Sequence, residues 1–161
     1  MMASAIGAQQ QRAYLNRVAQ RPEWSQTELV TASPDFKHEV SAFLEIAGIP
    51  ERSLVLGFGC GRGLWTLALA WLRHTAVSIE ISDRSIEPLA RTGLVAPHGI
   101  LPIVGTPPAL GASVTAKFDA VICVDVLHHV EDIRVTVHWM VYLAKTNGVL
   151  TSCRPDSQLA S

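Results

Sequence analysis

The sequence predicts an α/β fold in which helices cover both faces of a single, mostly parallel sheet. From Ser53 onward, short apolar runs alternate with segments of helical periodicity, as in repeated strand–helix units. A turn rich in glycine separates the first of these runs from the helix that follows it. The run 118–124 is apolar almost throughout, which is typical of a strand that is buried on both faces. These three observations favour a doubly wound architecture of three layers.

The hydrophobic periodicity places five strands and three helices along the chain. The strands are expected at residues 53–58, 76–81, 100–105, 118–124 and 149–153. The helices are expected at residues 35–47, 63–72 and 131–144.

Local signals mark the start of one helix, one turn and one apolar face. A further helix after the second strand is expected to be capped by Asp83 or Ser85, with Pro88 in its first turn, where a missing N–H costs little. The dipeptide Asn147-Gly148 is expected to turn the chain into the fifth strand. On the last helix, apolar side chains at helical spacing predict one buried stripe, formed by Ile133, Val137, Met140, Val141 and Ala144.

Length and composition favour one domain. A chain of 161 residues with 48% apolar residues can bury one sizeable core. Residues 1–50 are expected to form a helical flank or lid, and residues 51–161 the core itself. With a net charge of −1 and 17% charged residues, the chain has no field that would attract a nucleic acid. A small molecule is therefore the expected substrate.

The cysteines and the apolar runs indicate a cytoplasmic protein. Three cysteines without a CxxC pair favour reduced thiols. The longest apolar run, 67–72, is too short to cross a bilayer, so no membrane association is expected. Arg12, Arg17 and Arg21 precede the first acid, which leaves a transit peptide as the alternative to an amphipathic first helix.

The strongest functional signal is VLGFGCGRG, residues 55–63, in which four glycines alternate with other residues. Glycine lets the backbone approach a ligand closely, and the helix behind the turn supplies N–H groups. A nicotinamide dinucleotide fingerprint needs a glycine three positions after the second glycine of its pair. Arg62 stands in that place after Gly59, and Leu64 stands there after Gly61. The spacing therefore excludes that class of cofactor site.

This segment resembles motif I of the class I S-adenosylmethionine-dependent methyltransferases, and the resemblance continues in order to residue 153. Glu80 ends the second strand at the place where the family's acid binds both ribose hydroxyls. The segment FDAVICVDVLHHV, residues 118–130, is similar to the family's fourth strand and the turn after it. GVL at 148–150 resembles the opening of the fifth strand, and Thr106 falls where the family contacts adenine.

The resemblance implies a Rossmann-like sheet with strand order 3-2-1-4-5 and S-adenosyl-L-methionine as the cofactor. The residues that it assigns to cofactor binding are Gly57, Gly59, Cys60, Gly61, Gly63, Glu80, Ile81, Thr106 and Val124.

Two of these positions depart from the family pattern. Gly57 replaces the acid that helps to hold the methionine amino group, and Thr106 replaces the acid that bonds the adenine amino group. Each missing charge-assisted hydrogen bond is expected to cost about 1.5–3 kcal/mol of affinity. The sequence therefore predicts weak binding of the cofactor.

His128 is the candidate catalytic residue, because it follows the fourth strand where the family builds the methyl-transfer site. It would act as a base, since the next residue, His129, matches a histidine that is commonly structural in the family. A solvated or capping histidine is the alternative for either residue. Adjacent side chains are expected to point to different sides, so no metal site is predicted.

The three cysteines, Cys60, Cys123 and Cys153, fall at or just after the ends of neighbouring strands. A thiol cluster at that edge is one interpretation of this placement. The other, which the sequence favours, is that each cysteine is a small apolar residue of the core.

The resemblance further implies a shortened sheet, because eight residues follow Cys153 where the family continues into a helix and two antiparallel strands. The fifth strand would then be an open edge, which a second copy, a partner subunit or a longer parent chain would cover. The expected function is methylation of a small molecule. The alternatives are a non-catalytic methyltransferase-like subunit and an RNA methyltransferase, for which a basic patch is lacking.

Overall fold

A computed structural model describes residues 9–10, 12–14, 16–17, 33–92, 99–107, 110 and 117–153. The strands are β1 (Leu54–Phe58), β2 (Thr75–Glu80), β3 (Ile100–Val104), β4 (Phe118–Val124) and β5 (Ala144–Cys153). The helices with continuous bounds are α1 (Pro34–Ile46), α2 (Leu64–Trp71), α3 (Asp83–Thr92) and α4 (Ile133–Leu143), and a 3₁₀ turn spans Leu127–His129.

The five strands form one sheet in the order β3-β2-β1-β4-β5, and every neighbouring pair is parallel. This confirms the predicted strand order and fold class. Because the strands are parallel, their carboxyl ends meet at one edge of the sheet, where ligands bind in open α/β folds. Within the described part of the chain, no helix has the length and apolar character needed to cross a membrane.

Successive residues of β1 supply the two faces of the core. Val55 packs with α1 and α2 on one face, whereas Leu56 packs with α4 on the other. Both side chains are fully buried. Because successive side chains of β1 point to opposite faces, the strand packs against a helical layer on each side of the sheet, as predicted.

Helix α1 is part of this core. Its Val40 and Leu44 are buried beside β1 and α2. The rings of Phe36 and Phe43 meet Trp65 of α2 edge-on, at centroid distances of 6.1 and 5.0 Å. Edge-to-face aromatic contacts stabilise beyond the area that they bury, so α1 and α2 are held as a pair.

The start of α3 differs from the prediction. The hydroxyl of Ser82 accepts a hydrogen bond from the Ser85 N–H at 3.0 Å, so Ser82 is the capping residue. The helix begins at Asp83, which places Pro88 inside it rather than in its first turn. Helix α3 therefore starts closer to the carboxyl end of β2 than predicted.

The buried face of α4 was predicted only in part, since Met140 is buried as expected but two other residues of the predicted stripe are exposed. Its buried residues are Thr136, Met140 and Leu143, whereas Ile133 is 53% exposed and Val141 57% exposed. The reason is that β5 starts at the residue directly after α4. With no loop between them, Leu143 must face the sheet, and residues one and two turns earlier follow it inward.

The dipeptide 147–148 lies inside β5 instead of turning the chain into it. Phe118 pairs with Ala144 and Ala120 pairs with Val149, so five residues of β5 advance against two of β4. A Cβ on the glycine of this dipeptide would lie 3.0 Å from three backbone atoms. The Asn-Gly signal thus marks a bulge with a close backbone approach.

Candidate functional site

The glycine loop between β1 and α2 folds back onto β2. The N–H groups of Gly59 and Cys60 both donate to the carbonyl of Ile79, at 2.9 and 3.2 Å. Gly59, Gly61 and Gly63 have φ angles of 65°, 53° and 82°, in the left-handed region that favours glycine. The alternating glycines therefore produce a tight backbone turn over the end of β2.

Each of these glycines has a different environment. A Cβ on Gly59 would lie 2.6 Å from a methyl carbon of Val126, and a Cβ on Gly63 would lie 2.6 Å from one of Leu89. A Cβ on Gly61 would meet no atom within 4 Å. Two of the glycines are thus required by packing, whereas Gly61 borders open space that a ligand can enter.

Gly57 is not required by backbone geometry, because its φ lies outside the left-handed region. A Cβ there would lie 3.4 Å from Ser78 Oγ and 3.5 Å from Thr66 Oγ1, which are ordinary contact distances. The two hydroxyl oxygens lie 2.6 Å apart and share a hydrogen bond. Position 57, where the family carries an acid, therefore lies beside the buried hydroxyl groups of Ser78 and Thr66.

Glu80 is held at the end of β2 by two backbone N–H groups. Its Oε2 accepts from Gly61 at 2.8 Å, and its Oε1 accepts from Ser82 at 2.9 Å. The residue is only 6% exposed. Each carboxylate oxygen keeps a further lone pair, so the group can still accept two hydroxyl donors. This arrangement fits a ribose diol beside Gly61.

The first turn of α2 has no capping side chain. Its N-cap is Gly63. Glycine has no side chain that could accept a hydrogen bond from the N–H groups that begin the helix. These N–H groups border a small cleft that is partly open to solvent. The residues that line the cleft are Gly57, Phe58, Gly59, Cys60, Leu64, Trp65, Thr66, Leu69, Ile122 and Val124. Uncapped N–H groups and a helix dipole fit a bound carboxylate.

The loop after β3 lies next to Glu80. The N–H of Gly105 donates to the Glu80 carbonyl at 2.9 Å, and the carbonyl of Thr106 accepts from Leu110 at 3.0 Å. Ile81 follows directly and is half-buried. Residues 108–109 and 111–116 of the predicted loop lie outside the described residues.

A second group of polar side chains follows β4. Asp125 has a φ of 55°, and its N–H donates to the carbonyl of Cys153 at 2.9 Å. His128 Nδ1 lies 3.5 Å from Asp125 Oδ1. The rings of His128 and His129 lie side by side, with centroids 3.8 Å apart. The expectation that these histidines point to different sides was wrong, because the two rings are in contact.

Charged residues from the end of β2 and from the turn after β4 act on the pKa of His129. Partial burial and the neighbouring His128 ring lower the pKa of His129, whereas Asp125 and Glu80 act in the opposite direction. Glu80 has the smallest of these effects, which places the end of β2 within electrostatic range of the turn after β4.

The thiols of the three cysteines are free and held in the neutral form. Burial, followed by the charge of Glu80, raises the pKa of Cys60. Burial, followed by Cys153, raises the pKa of Cys123 to about 11. Burial also raises the pKa of Cys153. Protonated thiols are poor nucleophiles and poor metal ligands. Among the described residues, no three His, Cys, Asp or Glu side chains are grouped so that they could hold a metal ion.

The sequence analysis missed a contact from the N-terminal segment. Asn16 Oδ1 accepts from Ser82 Oγ at 2.6 Å, and Asn16 Nδ2 donates to Asp83 Oδ1 at 3.0 Å. Arg12 forms an ion pair with the same carboxylate at 3.3 Å. These partners lie 66 and 67 residues from Asn16, so no local sequence pattern could have revealed the contact.

The predicted binding residues thus lie at the carboxyl ends of β1, β2 and β4 or in the loops that follow β1, β2 and β3. Their binding roles stay a prediction. His128 lies beyond β4 at the same edge, next to Asp125, which the sequence analysis had not singled out.

Comparisons with known proteins place the chain in a family. The sequence profile of a methyltransferase domain family matches residues 30–161. The chain is also 32% identical over 111 residues to the ubiquinone biosynthesis O-methyltransferase of Xanthomonas oryzae pv. oryzae. That match covers 69% of this chain and 45% of the relative, so the chain spans about half the length of the curated relatives it matches.

Solved structures show the same fold. The N-methyltransferase NodS from Bradyrhizobium japonicum WM9, in complex with S-adenosyl-L-homocysteine, matches with a TM-score of 0.68 at 20% identity and covers 88% of this chain and 71% of its own. Magnesium protoporphyrin IX methyltransferase from Synechocystis PCC 6803, with bound S-adenosylmethionine, matches with a TM-score of 0.54 at 22% identity and covers 68% of this chain and 54% of its own. The chain therefore belongs to the methyltransferase domain family and has the fold of the class I S-adenosylmethionine-dependent enzymes.

Proposed function

We propose that this chain binds S-adenosylmethionine and transfers its methyl group to a small molecule. The observation that carries the proposal is the state of Glu80, whose two oxygens are fixed by Gly61 and Ser82 and yet keep lone pairs for a diol. A carboxylate so fixed at a strand end is already oriented for two hydroxyl donors, so little order is lost when they bind.

The neighbouring residues fit the rest of the cofactor. The open space beside Gly61 would admit the ribose, and the uncapped first turn of α2 would bind the methionine carboxylate. Ile81 and Thr106 border the side where adenine would lie. When bound, the cofactor supplies a methyl group on a positively charged sulfur, and the bond to that sulfur breaks as the bond to the acceptor forms.

A small acceptor is supported by two further observations. The net charge of −1 gives no attraction for RNA. The curated relative is an O-methyltransferase of ubiquinone biosynthesis, whose name indicates a small-molecule acceptor.

The three free thiols support a reducing, cytoplasmic location.

A second candidate function is a non-catalytic subunit that acts through a partner. It is favoured by the missing acids at Gly57 and Thr106 and by the edge position of β5 in the sheet. Leu150 on that strand is 40% exposed, and a second copy or another subunit would cover it. In this case Leu150→Pro would dissociate a pair of chains joined at β5, as measured by sedimentation.

Calorimetric titration with S-adenosylmethionine and S-adenosylhomocysteine tests the two functions. We expect measurable binding that is abolished by Glu80→Ala, because the ribose would lose its charged acceptor. Glu87→Ala is the matched control, since Glu87 lies on α3, pairs with Arg91 and is 53% exposed. No binding at millimolar ligand would contradict the proposal and favour the subunit.

A further inference from the structure

We propose that Asp125 positions His128 as the base that accepts a proton from the methyl acceptor, and that the reacting group of this acceptor is a hydroxyl. The inference rests on the proposed function. Asp125 acts through His128 and is a positioning residue, whereas His128 is the residue that contacts the acceptor.

The side chains of Asp125 and His128 lie close together. Asp125 Oδ1 lies 3.5 Å from Nδ1 of His128. A carboxylate at this nitrogen favours the tautomer that carries its proton on Nδ1. Nε2 then has an unprotonated lone pair, which is the requirement for a general base.

The backbone of Asp125 fixes the direction of its side chain. Its φ of 55° lies in the left-handed region, which aspartate tolerates, and the hydrogen bond from its N–H to the carbonyl of Cys153 maintains it. The side chains of Asp125 and His128 are 51% and 43% exposed, so their contact contributes little to stability. A contact that stability does not explain is compatible with a functional role.

The pair lies beside the proposed cofactor site. It follows β4, at the same edge as Glu80 and the glycine loop, and the ring of His129 packs against that of His128. The charge of Glu80 also acts on the pKa of His129, so Glu80 and the turn after β4 lie near each other. A base at this place is exposed enough to release its proton to water.

Methyl acceptors differ in whether they need a base. A neutral amine attacks a methyl group with its own lone pair and needs no base beforehand. A hydroxyl of high pKa must give up its proton as it attacks, and an oriented imidazole can take that proton. A carboxylate–imidazole pair therefore fits a hydroxyl acceptor better than an amine.

Nitrogen NMR of protein labelled in its imidazole rings tests the positioning without cofactor or turnover. At a pH where the rings are neutral, we expect His128 to carry its proton on Nδ1. Asp125→Asn retains a side chain that tolerates positive φ, and we expect it to shift His128 toward the Nε2–H tautomer. Glu131→Gln removes an exposed acid that follows the turn, and we expect it to leave the tautomer unchanged.

Kinetics with catechol and benzylamine as probes test the acceptor class. We expect catechol to be methylated faster, and Asp125→Asn to lower kcat for catechol about a hundredfold without changing the affinity for S-adenosylhomocysteine. An Nε2–H tautomer in the native protein, or one unchanged by Asp125→Asn, would overturn the positioning role whether or not the cofactor binds. Faster methylation of benzylamine, or of neither probe while S-adenosylhomocysteine binds, would overturn the hydroxyl acceptor. Failure to bind S-adenosylhomocysteine would overturn the proposed function and the catalytic role that rests on it, but not the tautomer result.

Discussion

Gly57→Asp is expected to strengthen cofactor binding, because it restores an acid at the place where the family carries one. The structure admits the substitution, since the new Cβ would lie 3.4 and 3.5 Å from Ser78 Oγ and Thr66 Oγ1. Both oxygens belong to hydroxyl groups that can turn and donate to a carboxylate. One charge-assisted hydrogen bond regained from the methionine amino group contributes about 1.5–3 kcal/mol. The dissociation constant should therefore fall about tenfold to a hundredfold.

The same substitution is expected to lower stability. Gly57 and both hydroxyl-bearing residues, Ser78 and Thr66, are buried, so the carboxylate loses part of its hydration when the protein folds. Its new hydrogen bonds offset that loss in part, and we expect a net cost of about 1–3 kcal/mol in the free energy of unfolding. Chemical denaturation of the unliganded protein measures this cost.

Calorimetry with S-adenosylhomocysteine measures the gain, with Gly57→Asn as the control of equal size and no charge. Gly57→Ala isolates the effect of the added Cβ, whose contacts are ordinary. If Gly57→Asp bound no more tightly than Gly57→Asn, the side chain at this position would not reach the methionine amino group. The assignment of motif I to residues 55–63 would then be wrong in that respect.

Three further predictions concern other parts of the structure. Asn16→Ala should remove the hydrogen bonds to Ser82 and Asp83, so the N-terminal segment should be cleaved faster in limited proteolysis, and an unchanged cleavage rate would contradict this contact. Asp132→Ala should lower the free energy of unfolding by about 0.5–2 kcal/mol, because the side chain caps α4 through two backbone N–H groups. His74 is 4% exposed with an unpartnered Nδ1, and burial lowers its pKa. The unfolded chain then binds a proton more readily, so stability should fall as the pH drops below about 6.5, and His74→Phe should reduce that slope.

The fold was predictable from the sequence because its signals are periodic and local. The continuous apolar run of β4 and the alternation of strand-like and helix-like segments predicted a parallel sheet. Strand β4 lies at the predicted residues 118–124. The strand order came from the resemblance, since a local pattern cannot tell which strands become neighbours. Glu80 was found because its spacing from the glycine loop is part of the same pattern.

The differences arose where tertiary contacts decide the local structure. The direct passage from α4 into β5 rotates α4 so that Ile133 and Val141 face outward, and hydrophobic spacing alone does not contain that constraint. The bulge around Gly148 is set by its pairing with β4. Asp125 and Asn16 became visible only in three dimensions, the first through its positive φ and the second through contacts across more than 60 residues.

The measurement that tests the central claim most directly is an amide NMR titration of the protein with S-adenosylhomocysteine. The claim is that the ribose binds between Glu80 and Gly61. The N–H groups of Gly61 and Ser82 both donate to the Glu80 carboxylate. We predict that the amide signals of Gly61, Ser82 and Gly105 shift together with one dissociation constant. The amide of Lys145, at the opposite end of the sheet, should stay unchanged. Saturable shifts elsewhere that leave Gly61 and Ser82 unaffected would contradict the account.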